Sequence, residues 1–150
     1  MDALDHAILR ELQDDGRLTN VELAERVRLS PSPCLRRVRA LEQAGVIRGY
    51  HADIDPAAVD RSFEVTVHVE LALKDRATVE AFDERVAALE AVVECHRMFG
   101  LPDYMLRVAV ADQAAYEAFY MNELAELPGL ARVNSQFTMK VVKRGGAVPL

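Results

Sequence analysis

Asn20-Val21-Glu22-Leu23-Ala24-Glu25-Arg26-Val27-Arg28-Leu29-Ser30-Pro31-Ser32-Pro33-Cys34-Leu35-Arg36-Arg37-Val38-Arg39 is the stretch whose reading decides the fold. Thr19 and Glu22 stand three apart at its start, the spacing of a capping box in which each side chain serves the other's amide. Leu23, Ala24 and Val27 give the short helix that follows one apolar face. Arg28-Leu29-Ser30 reads as a turn. Ser30-Pro31-Ser32-Pro33 then opens a second helix, because first-turn amides have no intrahelical acceptor and proline there costs no hydrogen bond. With Ser30 as the N-cap, Leu35, Val38 and Leu41 are predicted to face inward. Ser32, Arg36, Arg39 and Gln43 fall at i, i+4, i+7 and i+11 and share the outer face, flanked by Arg37. Gly45 is placed to end the helix. Val46 to Ala52 is predicted to follow as a short extended wing.

Upstream, Leu4, Ile8, Leu9 and Leu12 repeat at helical spacing, with Asp2 or Asp5 to cap the start and Asp14-Asp15-Gly16 to end it. Three short helices of this kind describe a helix-turn-helix whose third helix presents small residues and arginines outward. Small residues approach base edges and arginines take phosphate or guanine. The plain alternative is a solvated arginine face on an ordinary three-helix bundle. The chain carries a net charge of −6, which at first speaks against nucleic acid. Between Arg28 and Tyr50, however, Arg28, Arg36, Arg37, Arg39 and Arg48 face a single acid, Glu42. Local phosphate contacts, not the whole-chain balance, govern DNA binding. The excess acid lies after residue 50, and an acidic neighbour discourages indiscriminate sticking to DNA.

Asp53-Ile54-Asp55-Pro56 reads as a linker. Beyond it Phe63, Val65, Val67, Val69, Leu71 and Leu73 alternate with polar residues, the pattern of a strand with one buried face. Val79, Phe82, Val86 and Leu89 mark a helix. Val92 to Phe99 is a second strand, and Tyr104, Leu106, Val108 and Val110 a third. Asp112 caps a helix carrying Tyr116, Phe119, Tyr120, Leu124 and Leu127. Pro128-Gly129 turns the chain, and Val133, Ser135, Phe137, Met139 and Val141 alternate as the last strand. The order β-α-β-β-α-β predicts a ferredoxin-like sheet with both helices on one face, so the fold class is α+β. The other face, with His68, Met98, Met105, Gln136 and Thr138, is an interface candidate that a two-fold homodimer would bury.

The 150 residues suffice for one ordinary or two small domains. The first fifteen have no apolar run of signal-peptide length, and nothing approaches a membrane span, which points to the cytoplasm. Cys34 and Cys95 lack metal-type spacing and read as reduced thiols, with Cys95 in the core. No HExxH, P-loop, GxSxG or dinucleotide fingerprint is present. Cys95 and His96 are adjacent on a strand and so point to opposite faces, which argues against a thiol–base pair. No enzyme activity, metal or cofactor is expected.

The residues from Asn20 to Ala24, Leu29 to Val38, Leu41-Glu42 and Gly45 to Tyr50 resemble the winged helix-turn-helix of the Lrp/AsnC, or feast/famine, regulators. Leu4-Asp5, Ile8-Leu9, Leu12-Gln13-Asp14 and Gly16-Arg17 match that family's opening helix. Glu94-Cys95-His96, Gly100-x-x-Asp103-Tyr104, Ala115-Tyr116 and Leu127-Pro128-Gly129 resemble its C-terminal RAM domain, which is similar in fold to ACT domains. The resemblance covers about residues 2–143. It implies a winged helix-turn-helix over 1–50, a linker strand over 51–61, a RAM effector and dimerisation domain over 62–143 and a tail over 144–150. It implies double-stranded DNA as partner, bound through Asn20, Ser30, Ser32, Pro33, Cys34, Arg36, Arg37, Arg39 and Arg48. It also implies an amino acid or related small effector at the dimer interface, held by Met98, Gly100, Leu101, Pro102, Asp103, Tyr104 and Ser135. In that picture amides near Gly100 take the ligand carboxylate, and Asp103 pairs with its ammonium. Gly100 and Asp103 also have a plain reading, as a hairpin glycine and a turn cap. Leu101-Pro102 departs from the common loop, where a second acid follows the glycine, so effector identity does not carry over. The family forms homodimers and commonly octamers. Two alternatives stay open at this level: a nucleoid-organising protein that bridges DNA with little sequence choice, and an ACT-like metabolic domain.

Overall fold

The computed structural model describes residues 1–143 and 148–150, and the sequence-predicted tail over 144–150 lies partly outside them. The chain divides into two compact units: Met1–Asp53 with Val142–Leu150, and Ile54–Val141.

In the first unit, α1 (Ala3–Asp14) begins on a reciprocal capping box. The Asp2 side chain accepts from the amides of Leu4 and Asp5, and the Asp5 side chain accepts from the Asp2 amide. The predicted Thr19–Glu22 box opens α2 (Asn20–Arg26) in the same way. Then α3 (Pro31–Gln43) starts with proline in its first turn; Ser30 holds the N-cap position, but its hydroxyl makes no capping bond. Gly45, at φ +69°, ends α3. The Val46 amide donates to Leu41 O and the Gly45 amide to Glu42 O, the paired bonds that satisfy the last carbonyls of a helix. Ile8, Leu9, Leu23, Ala24, Val27, Cys34 and Leu41 form the core.

Two predictions fail here. Leu35 is exposed, not inward. At about 100° per residue the inward stripe of α3 runs through Cys34, Val38 and Leu41, and Leu35 falls outside it. Val46 to Ala52 forms no strand. It runs as coil past α1, and Leu9, Leu12, Gln13, Ile47, Arg48, Tyr50 and His51 line a groove of about 640 Å³ there with Val148 and Leu150. Gln13 grips the Val148 backbone from both sides, its Nε2 donating to Val148 O and its Oε1 accepting from Val148 N. Arg10 donates to Leu150 O through Nε and Nη2.

The second unit holds one antiparallel sheet in the order β2-β3-β1-β4, built from β1 (Phe63–Leu71), β2 (Val92–Arg97), β3 (Tyr104–Val110) and β4 (Leu130–Phe137). This is the predicted split βαβ arrangement. Helices α4 (Arg76–Ala87) and α5 (Gln113–Asn122) start on Asp75 and Asp112, whose side chains cap them. They bring Phe82, Val86, Tyr116 and Phe119 onto Val65, Val67, Val69, Leu71, Leu106 and Val108. The residues predicted as linker strand, 51–61, contain no strand; a short 3-10 turn, Pro56–Val59, opens on the Asp55 side chain instead. The last strand stops at Phe137, so Met139 and Val141 lie beyond it. Cys95 is exposed, not in the core, because β2 is an edge strand.

Candidate nucleic-acid and effector sites

The outer face of α3 forms a shallow concavity of about 380 Å³ lined by Ser32, Leu35, Arg36, Arg39, Ala40 and Gln43. Arg36 and Arg39 are one turn apart on it, and both are exposed. Ser32 and the free hydroxyl end of Ser30 stand at the helix start, where small side chains allow close approach to a duplex. The other sequence-predicted contacts are placed differently. Cys34 is fully buried in the core and is unavailable to DNA; burial pushes its thiol up. Asn20 Nδ2 donates to Pro31 O at 2.8 Å, tying α2 to the start of α3. Pro33 is half-buried. Arg37 turns away from the concavity, and its Nη1 lies 2.8 Å from Asp2 Oδ2 and 2.7 Å from Asp5 Oδ1. Arg48 lies in the coil after α3 and lines the groove beside α1.

In the sheet unit, Met98 to Pro102 makes an open loop. Phe99 and Leu101 are exposed, and Gly100 has φ +108°, a conformation that favours glycine. Asp103 anchors the end of this loop. Its amide donates to Val69 O, its carbonyl accepts from Met98 N, and its Oδ2 accepts from Leu71 N at 2.9 Å. Its Oδ1 lies 2.6 Å from Lys74 Nζ. Burial pulls this carboxyl up, but the Lys74 ammonium and the Leu71 amide outweigh it and hold it below the usual range. The ammonium role expected for Asp103 therefore meets a carboxylate whose two oxygens are already engaged within the chain. Tyr104 is a core residue, 1% exposed, packed against Phe82 with ring centroids 4.3 Å apart and the rings tilted by 37°. Its hydroxyl donates to Asp83 Oδ1 at 2.6 Å, and burial with the Asp83 charge pushes the phenol up to about 12. Ser135 pairs with Val67 on the helix-covered side of the sheet, and its Oγ is 2.6 Å from the Tyr116 hydroxyl. Neither Tyr104 nor Ser135 joins the loop in an open site. Sequence reasoning missed Lys74, which showed only as a lone cation after a strand.

The uncovered sheet face is more charged than predicted. Glu64, Thr66, His68 and Glu70 of β1 lie between Met105 and Arg107 of β3 and Arg132, Asn134 and Gln136 of β4. Arg107 bridges Glu94 at 2.7 Å and Glu64 at 3.6 Å, and Arg132 reaches Glu70 at 3.8 Å. Met98 and Thr138, predicted on this face, lie just past the ends of their strands.

Residues 1–48 match the winged helix-turn-helix DNA-binding family, and residues 64–148 match the Lrp/AsnC ligand binding domain. The chain belongs to the Lrp/AsnC family. It is 43% identical over 150 residues to the Bkd operon transcriptional regulator of Pseudomonas aeruginosa, covering 100% of this chain and 98% of that one. It is 42% identical over 144 residues to the leucine-responsive regulatory protein of Escherichia coli, covering 96% of this chain and 88% of that one. Among solved structures, a transcriptional regulator of Neisseria meningitidis in complex with L-Met superposes with a TM-score of 0.94 at 38% identity, covering 99% of this chain and 96% of that chain. An AsnC family transcriptional regulator of Agrobacterium tumefaciens also reaches 0.94, at 41% identity and with coverage of 99% and 97%. This Lrp/AsnC protein is accordingly a DNA-binding transcriptional regulator with a C-terminal ligand-binding domain. No described helix is long and apolar enough to cross a membrane.

Proposed function

We propose that this Lrp/AsnC protein is a cytoplasmic, non-enzymatic regulator that recognises discrete DNA sites through the outer face of α3 and answers to an amino acid or related metabolite. The observation that carries the reading is the open concavity on α3, where Arg36 and Arg39 stand beside small residues and form no salt bridge among the described residues. Arginine placed so takes guanine edges or phosphate, and Ser30 and Ser32 permit the approach. Arg48 contributes from the coil.

The effector site we assign is the loop from Met98 to Pro102, where Gly100 leaves backbone amides accessible to a carboxylate. Asp103 serves as its anchor through Leu71 and Lys74. Two relatives support the ligand class by their names alone: a leucine-responsive protein and a regulator solved with L-Met. A homodimer formed on the uncovered sheet face presents two recognition helices to a two-fold DNA site.

Footprinting of the full chain against random competitor DNA tests the reading. Discrete protected sites are expected, and Arg36→Ala or Arg39→Ala is expected to weaken them by about 1–3 kcal/mol each. Uniform coverage without preferred sites overturns sequence-specific recognition. A thermal-shift panel of amino acids tests the effector: a stabilising ligand raises the midpoint by mass action, and a flat panel removes the loop assignment.

A further inference from the structure

Arg36, Arg37 and Arg39 are close in sequence, yet only Arg37 is spent inside the protein. Its Nη1 contacts Asp2 and Asp5 together, at 2.8 and 2.7 Å. Those two carboxylates are the two halves of the α1 capping box. Asp2 Oδ1 and Asp5 Oδ2 serve the helix amides, while Asp2 Oδ2 and Asp5 Oδ1 face Arg37. One guanidinium thus joins the first turn of α1 to the middle of α3.

Few other features determine how α3 is rolled about its own axis. Its fully buried residues are only Cys34 and Leu41, with Val38 partly buried. The Ser30 hydroxyl makes no capping bond, the Asn20–Pro31 bond holds only the helix start, and the bond from the Tyr50 hydroxyl to Glu42 Oε1 ties only its last turn to the coil that follows. A side-chain head about 6 Å from a helix axis moves about 2 Å for a roll of roughly 20°. Bidentate base contacts tolerate much less than that.

We propose that Arg37 is a positioning residue for DNA recognition: it latches α3 to the α1 cap and so aims Arg36 and Arg39, without touching DNA itself. This rests on α3 being the reading helix. The latch has a recognisable consequence. A phosphate-contacting arginine contributes about one unit to the slope of log affinity against log salt, whereas a latch contributes none. Removing the two acids also makes the protein less negative, which by charge alone favours any DNA. A loss of affinity on removing them therefore has the opposite sign to the electrostatic effect.

The test uses the full chain and a duplex selected by that chain from a random pool, with an unrelated duplex of equal length as reference. Failure of the parent to select any site overturns α3 recognition itself and the latch with it. If the parent selects a site, the variants address the latch alone. Arg37→Met keeps the aliphatic stem. Asp2→Asn with Asp5→Asn keeps side-chain acceptors for the cap, since asparagine caps helices as well as aspartate. Each is expected to lower affinity for the selected site about tenfold and for the reference duplex less than twofold, with an unchanged salt slope. The triple variant is expected to be no weaker than either. Arg37→Lys restores a cation, and part of the selectivity should return with it; this variant also serves if Arg37→Met unfolds. A salt slope lowered by about one in Arg37→Met, with the Asp2→Asn/Asp5→Asn protein unaffected, overturns the latch in favour of a phosphate contact. Unchanged selectivity in all variants overturns it outright.

Discussion

The two units are held together by different means. The sheet unit buries four valines and leucines of β1 against Phe82, Val86, Tyr116, Phe119 and Leu124. The helical unit has a thinner core that includes Ala24 and Cys34, so the polar ties between its helices weigh more in it than ion pairs such as Arg107–Glu94 and Lys74–Asp103 weigh in the sheet unit. Arg26 meets Glu11 at 3.1 Å, Arg37 meets Asp2 and Asp5, and Asn20 meets Pro31. Apolar burial resists loss of volume and is indifferent to pH, whereas ion pairs set orientation and are screened by salt. The division suits the two tasks. A ligand-binding domain needs a stiff base, and a DNA-binding helix-turn-helix needs its helices held in a defined orientation.

The contrast breaks most sharply at Phe82. Phe82→Ala empties the centre of the sheet unit beside Tyr104 and is expected to cost about 3–5 kcal/mol. Urea unfolding followed by tyrosine fluorescence checks this, and a loss under 1 kcal/mol would contradict the packing described. Asp103→Ala is smaller. It leaves the buried Leu71 amide without its acceptor and frees Lys74, for an expected loss of about 1–3 kcal/mol. It should also disorder the 98–102 loop, visible as faster amide exchange at Met98. If exchange there stays slow, Asp103 is not the anchor.

The smallest effect belongs to the helical unit and sharpens the comparison by its pH window. In the folded chain Asp2 and Asp5 are held below the ordinary carboxyl range, chiefly by each other's backbone amides and then by Arg37. A depressed carboxyl adds stability above its unfolded value, near pH 4, and loses it as pH falls through the folded value. Acid titration between pH 5 and 2 should therefore loosen the helical unit of the parent more steeply than that of Asp2→Asn/Asp5→Asn. Identical acid profiles would mean that these carboxylates carry no folding linkage.

Much of this was legible in the sequence because the deciding signals are local. The Thr19–Glu22 capping box, the acidic cap of α1 at Asp2 or Asp5, the proline-rich start of α3, the Gly45 stop and the β1 alternation depend on residues within a few positions of one another. What escaped depends on partners far away in the chain. Leu35 was expected inside because it is apolar and Arg37 outside because it is charged. The acids that draw Arg37 inward lie more than thirty residues upstream. Tyr104 and Ser135 were grouped with the loop by the family resemblance. Strand register assigns both to the helix-covered side, and register is set by pairing with β1. The wing and linker strand failed for a related reason. An extended segment becomes a strand only beside a partner edge, and none among the described residues pairs with 46–61.

The groove beside α1 has a consequence for how the protein is made. Val148 and Leu150 line it from the C-terminal segment of a unit whose N-terminal segment ends at Asp53. On the ribosome, α1 to α3 emerge early, but Leu9 and Leu12 receive that cover only after roughly 100 further residues have been added. At about 5–20 residues per second, the interval is of order 5–20 s. Through that interval the nascent helical unit has α1 to α3 but not its last strap, and the sheet unit is synthesised while it waits.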